Sequence, residues 1–523
     1  MTEVLKPRAG RATILLLNSL ANILRAFSGS LTTILVPVFL VFLLPKSDYT
    51  VWALVYGMAS YVIYLDLGLQ ASIQATVAHR HGAGDVRAAK KIAASGLKIV
   101  TAVCAVSIFG SILVAWLLPS IFPQIPTELL GQARVALLVL VGGQLCGLAT
   151  NVASAYFAGL QRSLEPAVIA TIARFASLGA VILCIPFSQN LGVLAAAFSI
   201  PIAAGLVAIV WRFSAERPQN EIFITGGMES SAFDNRPWPL LVYSGPLMLW
   251  NICVLVVNGA GIVIVGLFAY ESVAAFSIAS MFAAAVVGVG NALTTPLLPE
   301  FSRVSTSKGG LEELRVLLRN AVRISSVVIL GLAGGLLLLA PVFLELSGLA
   351  MTGVDEFILV GCVVLAASLR LLMTPVTMVF IATGTHRRIV LPPVVEALLT
   401  LTITTVLASI YGAVGAGLGA FTGALIGVTL TLTWSLKSSG IAFGDLSDTL
   451  RSGLLVPVLC WLPSWAASLA LGASAWPLGS SSGLVLVAFG SSAVLAWFFG
   501  LHAADRSMML RVARSFGRRI KVA

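Results

Sequence analysis

Charged side chains are scarce in this sequence: Asp, Glu, Lys and Arg make up 10% of its 523 residues. Soluble domains carry about 25% charged residues, whereas here 58% of the residues are hydrophobic. The composition therefore excludes a soluble protein and predicts an integral membrane protein. Only helices or closed barrels can span lipid. Because the apolar runs are long and continuous, without the alternation of barrel strands, we expect helices.

Cysteines are also few, six in all. They lie singly inside apolar runs, at no spacing typical of metal or redox sites, which favours a packing role. The sequence likewise lacks nucleophile–base pairs, paired carboxylates and metal-ligand clusters at useful spacing. We therefore expect a protein that is not an enzyme and that has no metal and no bound cofactor.

Apolar runs of about 18 or more residues are long enough to cross a bilayer. No A-x-A-like cleavage site closes the first run, so we expect it to be retained as a span. The sequence contains fourteen candidate spans: 13–43, 51–76, 99–119, 134–157, 167–186, 192–211, 239–268, 273–298, 324–346, 356–381, 391–410, 417–436, 453–471 and 482–501.

Positive charges cluster on alternate connections between these runs. If the N-terminus is cytoplasmic, all but five of the 32 Lys and Arg lie in cytoplasmic segments. The exceptions are Lys46 and Arg134 on the opposite side, and Arg25, Arg174 and Arg370 within spans. Because positive residues accumulate in cytoplasmic loops, we expect both termini in the cytoplasm of a bacterium, with the protein in the inner membrane. This topology explains the net charge of +11 without a nucleic-acid partner.

An internal repeat relates two parts of the chain. Leu191–Phe198 is similar to Val414–Phe421 at an offset of 223 residues, and Arg80 corresponds to Arg303 at the same offset. The repeat unit holds six spans, an even number, so both copies enter the membrane from the same side. Parallel halves around a central cavity suit alternating access.

We therefore predict an all-α membrane protein of about fourteen transmembrane helices. Two parallel six-helix bundles would surround a central cavity, followed by two C-terminal helices. The predicted parts are an N-terminal lobe 1–215, a cytoplasmic connector 216–238, a second lobe 239–440, and 441–523 with two extra helices and a basic tail. The basic tail is expected to contact anionic membrane lipids.

Five ionisable residues fall inside the predicted spans, where each costs at least about 2.5–3.5 kcal/mol and is a functional candidate. Arg25, Arg174 and Arg370 lie between the cytoplasmic face and the midplane, and guanidinium groups suit phosphate oxygens. The alternatives are that they pair with Asp66 or Glu396, or reach the interface. For those two carboxylates we consider coupling to a proton or sodium gradient, or a counter-ion role; Asp66 could also cap its span.

Asparagines on the first and seventh spans form a second polar set. Asn22 and Asn251 are candidates for contacts to sugar hydroxyls, if those spans line a cavity. Hydrogen bonding between helices explains them equally well.

Several short motifs carry a resemblance to a known family. They are Tyr64–Leu69, His79–Asp85, Ala158–Arg162, Pro296–Arg303, Ile381–Arg388 and Tyr411–Ala416. In this order and spacing the chain resembles Wzx-type polysaccharide flippases, the oligosaccharidyl-lipid exporters of the MOP superfamily, which have a MATE-like fold. The resemblance implies transport of an undecaprenyl-diphosphate-linked oligosaccharide from the cytoplasmic to the outer leaflet. Coupling to a proton or sodium gradient, or to the membrane potential, is a separate hypothesis. It also implies a polymerase and glycosyltransferases of the same pathway as partners.

Other transporter classes remain as alternatives. A MATE-like multidrug or cation antiporter would be expected to have about twelve spans and carboxylates in its cavity. Here the arginines within predicted spans outnumber the carboxylates, three to two. A lipid II flippase would share the fourteen spans, but its aspartate-rich signature near the end of span one is missing. A membrane glycosyltransferase or polymerase is disfavoured because no large external loop or catalytic acidic motif is present.

Overall fold

The computed structural model describes most of the chain. It covers residues 8–66, 68–82, 85–216, 237–294, 310–347, 353–383, 390–439 and 481–501, with single residues or short pieces within 297–304 and 455–466 and at 506. For residues 8–23 and 237–247, and at a few other positions, it describes the backbone alone.

The described residues form helices joined by short connections, with no strand among them. The helices are α1 (Arg8–Leu43), α2 (Lys46–Ser60), α3 (Leu69–Gly82), α4 (Val86–Ile121), α5 (Thr127–Gly159), α6 (Leu164–Cys184), α7 (Leu191–Ala215), α8 (Pro237–Phe268), α9 (Val273–Thr294), α10 (Gly310–Leu346), α11 (Gly353–Leu372), α12 (Thr374–Ala382), α13 (Leu391–Ser439) and α14 (Ser481–Leu495).

Nine helices in these ranges are long and apolar enough to cross a membrane, and two shorter apolar stretches are Phe27–Leu43 and Phe489–Phe499. Each of the first twelve predicted spans has a helical counterpart, and the fourteenth falls on α14. The described pieces of the thirteenth are helical as well. The prediction of an all-α integral membrane protein is confirmed.

The second predicted span, 51–76, is interrupted and is not a continuous helix. Helix α2 ends at Ser60, a 3₁₀ turn runs over Tyr61–Asp66, and α3 begins at Leu69. Gly68 has φ 71°, which is accessible to glycine without strain, and its backbone N–H donates to Asp66 Oδ1 at 2.9 Å. The apolar residues on either side of Asp66 and Gly68 read as one span, so a count of apolar runs passes over the break.

Helix α13 holds the eleventh and twelfth predicted spans as an antiparallel hairpin. The turn is at Gly412, whose φ of 58° and ψ of −136° are conformations that side chains rarely adopt. Glycines every fourth residue on the second leg lie directly against the first: Gly415 on Leu407, Gly419 on Thr404, Gly423 on Thr400 and Gly427 on Glu396. Because these glycines have no Cβ, the two backbones approach closely.

Contacts divide the chain into two compact units, Met1–Ser277 and Ile278–Ala523. In the first unit α5 packs between α4, α3 and α7, and α6 packs on α1 and α7. In the second, α11 packs on α13 and α10. Most of the predicted connector 216–238 lies outside the described residues, so the predicted lobe boundaries stay a prediction.

Lipid is the natural neighbour of the outer helix faces. On α4, Phe109 is 75% exposed and Trp116 is 69% exposed. Large apolar side chains exposed along a helix are unfavourable in water, whereas lipid tails solvate them well.

Candidate functional site

Helices α1 and α6 meet through small residues on α1. Ser28 is fully buried, and its hydroxyl donates to the carbonyl of Arg25 at 2.9 Å. Across the contact, the Ser28 hydroxyl lies 3.5 Å from that of Thr171. The next residue, Gly29, is also buried. Small side chains here let the two helices approach closely. The larger side chains about one turn away, Arg25 on α1 and Arg174 on α6, are thereby brought near each other.

Arg174 extends from α6 onto this part of α1. A Cβ built on Gly29 would lie 2.6 Å from Arg174 Nη1, so the guanidinium rests directly on the α1 backbone. It is also close enough to Tyr56 on α2 for the two groups to interact electrostatically. Since α6 begins at Leu164, Arg174 is the eleventh of its 21 residues. It therefore lies at the middle of the helix; its predicted depth in the membrane stays a prediction.

Arg25 lies one helical turn before Gly29 and shares its helix face. Its guanidinium donates a hydrogen bond to the side-chain carbonyl of Asn151 on α5. Arg25 and Arg174 are near enough for their charges to repel. Both residues are partly buried.

We call these residues the arginine cluster: Arg25, Asn151, Arg174 and Tyr56. Among the described residues, neither arginine forms an ion pair with a carboxylate. Two cations sharing one region inside a membrane protein are mutually destabilising unless an anion joins them. The cluster offers donors and positive charge, which are the requirements of a phosphate-type ligand.

Arg370, the third predicted arginine, lies in the second unit and is neutralised. It sits in the last turn of α11, just before the break at Met373 that separates α11 from α12. Its Nε donates to Glu396 Oε1 at 2.7 Å, and its Nη2 donates to the carbonyl of Ala420 at 3.3 Å. The side chains of Arg370 and Glu396 are 20% and 14% exposed. This geometry is that of a largely buried ion pair.

Asp66 is held at the break in the second span and not beside an arginine. Besides the Gly68 N–H, its Oδ1 accepts a hydrogen bond from Asn251 Nδ2 on α8 at 2.5 Å. Two turns further along α8, Asn258 hydrogen-bonds Tyr64. Asp66 thus caps the start of α3 and ties it to α8, and within the described part of the chain it has no ion-pair partner.

The two asparagines predicted as sugar contacts have different outcomes. Asn251 bonds Asp66, which is the interhelical hydrogen bond considered as its alternative. Asn22 falls in α1 at a position whose side chain lies outside the described residues. Its predicted role stays a prediction.

Sequence reasoning missed two members of the arginine cluster, Asn151 and Tyr56, and also Gly29, on which Arg174 packs. Asn151 is a polar residue in the interior of an apolar helix, which is a usable signal. Tyr56 and Gly29 carry none, because nothing in the sequence around them sets them apart and only the packing of α1, α2 and α6 selects these two.

The whole arginine cluster lies in the region that a known family model covers. Residues 20–185 match the MatE family model. The match is to less than half of the chain. No curated protein sequence matches the chain.

Solved structures with the same fold cover most of the chain. The lipid II flippase MurJ in an inward closed conformation aligns with a TM-score of 0.63 and 14% identity, over 92% of this chain and 98% of that one. An inward-facing MATE family multidrug resistance transporter of the MOP superfamily aligns with a TM-score of 0.57 and 17% identity, over 79% and 96%. A MOP superfamily transporter from Pyrococcus furiosus aligns at 0.55 and 15%, over 81% and 95%. The chain therefore has the fold of these transporters.

Proposed function

We propose that the protein is a flippase that moves an undecaprenyl-diphosphate-linked oligosaccharide from the cytoplasmic to the outer leaflet by alternating access. The observation that supports this most is the arginine cluster. Arg25 and Arg174 lie together on neighbouring membrane helices and, among the described residues, without a carboxylate partner. A diphosphate supplies the negative charge that this arrangement lacks, and its oxygens match the planar guanidinium fork.

The cluster also argues against a cation antiporter. A cationic drug would have to approach two like charges inside the membrane, where electrostatic repulsion is weakly screened. In the second unit, the carboxylate of Glu396 is already paired with Arg370. The described residues therefore favour an anionic substrate.

A lipid II flippase is the second candidate, because a solved flippase for lipid II shares this fold over 92% of the chain. Lipid II carries the same polyprenyl diphosphate, so the arginine cluster fits both substrates equally. The two differ in the glycan, and the choice of the oligosaccharide rests on the sequence motifs described above.

Ion coupling is part of the proposal. Of the two predicted carboxylates, Asp66 is the better candidate, since it has no cationic partner among the described side chains whereas Glu396 is neutralised by Arg370. A carboxylate bound only by neutral donors can take up a proton or sodium ion without first losing an ion pair. Coupling to the membrane potential alone would leave Asp66 as a cap.

The direct test is a deletion strain complemented with variants. We expect deletion to cause a lipid-linked glycan intermediate to accumulate at the cytoplasmic face, and the wild-type gene to clear it. Arg25→Ala and Arg174→Ala should insert normally but leave the intermediate uncleared. Arg87→Ala, which removes an exposed arginine at the start of α4, is the matched control and should clear it.

Three results would contradict the proposal. Clearance by both cluster variants would remove the anion site. Accumulation of lipid II in place of a surface-glycan intermediate would establish the second candidate. Absence of any lipid-linked intermediate in the deletion strain, combined with resistance to cationic drugs that the wild-type gene restores, would establish an antiporter.

A further inference from the structure

The guanidinium of Arg174 occupies space that any side chain at position 29 would take. A Cβ on Gly29 would lie 2.6 Å from Nη1, 3.1 Å from Cζ and 3.7 Å from Nε of Arg174. The first of these distances is far inside van der Waals contact, so an alanine and this guanidinium position exclude each other. Arg174 can therefore occupy its observed position only because residue 29 has no side chain.

Gly29 lies in the middle of a ridge on α1. Arg25, Gly29 and Thr33 follow at four-residue spacing and share one helix face. Thr33 donates to the carbonyl of Gly29 at 2.9 Å and also hydrogen-bonds Tyr56. The Arg174 guanidinium lies over the central residue of this ridge, between Arg25 on one side and Thr33 on the other.

We propose that Gly29 is a positioning residue that seats Arg174 beside Arg25, so that the two guanidinium groups converge on one diphosphate. This inference rests on the proposed function, and it adds the requirement that the position of the second charge matters as well as its presence. A diphosphate offers closely spaced oxygens, and bidentate hydrogen bonds depend strongly on geometry. A displaced guanidinium keeps its charge but loses those bonds.

The atoms that a Cβ would meet belong to the far end of a flexible side chain. An alanine at position 29 is therefore accommodated when Arg174 swings away, while the α1 and α6 backbones stay in place. Gly143 is a contrasting case, because its Cβ would lie 3.1 Å from the backbone Cα of Ser199 and the helices themselves would have to separate. Gly29→Ala thus changes the geometry of the site with little effect on folding.

The test measures binding of undecaprenyl diphosphate, without any glycan, to the full-length protein in nanodiscs. We expect Gly29→Ala to weaken binding about 10- to 100-fold, the range for losing hydrogen bonds between charged groups. The matched control is Gly179→Ala on α6, where a new Cβ would meet no atom within 4 Å. Both variants should have the melting temperature of the wild type.

A second arm separates positioning from general disturbance of the helix contact. Lysine keeps the positive charge at position 174 but lacks the planar guanidinium group that has to be positioned. In an Arg174→Lys background, adding Gly29→Ala should therefore weaken binding less than threefold. A merely structural role would give the same loss in both backgrounds.

The outcomes distinguish this inference from the proposed function. Unchanged binding by Gly29→Ala, with a loss in Arg174→Ala, would overturn the inference and leave the anion site standing. Equal losses from Gly29→Ala in the arginine and lysine backgrounds would also overturn it. Failure of the wild type to bind the lipid diphosphate would overturn the proposed function, and the inference with it.

Discussion

The ion pair between Arg370 and Glu396 allows a quantitative prediction about stability. The Nε to Oε1 distance is 2.7 Å, and the two side chains are 20% and 14% exposed. Removing one partner of such a pair leaves an uncompensated charge and costs about 3–5 kcal/mol. The remaining exposure places the expected loss for Glu396→Ala at the lower end, about 3 kcal/mol.

Replacing both partners should be far less harmful. A buried pair replaced by apolar residues of similar size is often neutral or stabilising. We therefore expect Arg370→Met with Glu396→Leu to unfold within about 1 kcal/mol of the wild type. Glu396→Gln, which keeps the acceptor but loses the charge, should fall between, with a loss of about 1–2 kcal/mol.

The assay is reversible unfolding in mixed micelles, with the free energy of unfolding compared across the three variants. Transport by the double variant is measured in parallel. If the double variant is as unstable as Glu396→Ala, the loss of stability does not come from leaving Arg370 without its ion-pair partner. If it is stable but does not transport, the pair takes part in transport, through Arg370 at the substrate or Glu396 in ion coupling, and a purely structural role is refuted.

Three further predictions follow from other contacts. Asn151 accepts a hydrogen bond from Arg25 and would orient it, so Asn151→Ala should weaken undecaprenyl diphosphate binding about tenfold with an unchanged melting temperature; unchanged affinity would show that this bond does not orient Arg25. Gly412→Ala should cost about 1–3 kcal/mol of unfolding free energy because of its positive φ, and a neutral result would mean that the turn rearranges. Asp66→Asn should keep the cap to Gly68 but make transport in proteoliposomes independent of an imposed proton or sodium gradient; retained gradient dependence would exclude Asp66 as the coupling residue.

The sequence predicts the membrane architecture well, because the solvent imposes it. Lipid leaves few structures open to a chain with so few charges, and span length follows from bilayer thickness. The two breaks were not predicted. Span length and hydropathy do not register them, because the local signals are single residues: Asp66 with Gly68 at the first break, and Pro375, which lacks a backbone N–H, in the first turn of α12 at the second.

The site was predicted in part. The cost of burying charge identifies Arg25, Arg174 and Arg370 as special, but not which of them are neutralised. Arg370 and Glu396 are 26 residues apart on different helices, so their pairing is a property of packing that the sequence leaves open. Gly29 is one of 48 glycines, and nothing along the chain distinguishes it before α1 and α6 meet.

The hairpin at Gly412 has a consequence for how the protein is made and probed. Its two legs are joined by a single turn, and Ile410 and Tyr411 beside it are 64% and 62% exposed. With so short a connection, the second leg has to enter the bilayer together with the first during synthesis. A protease or an inserted epitope tag would find no loop there, so topology mapping of this region has to rely on single-residue labelling.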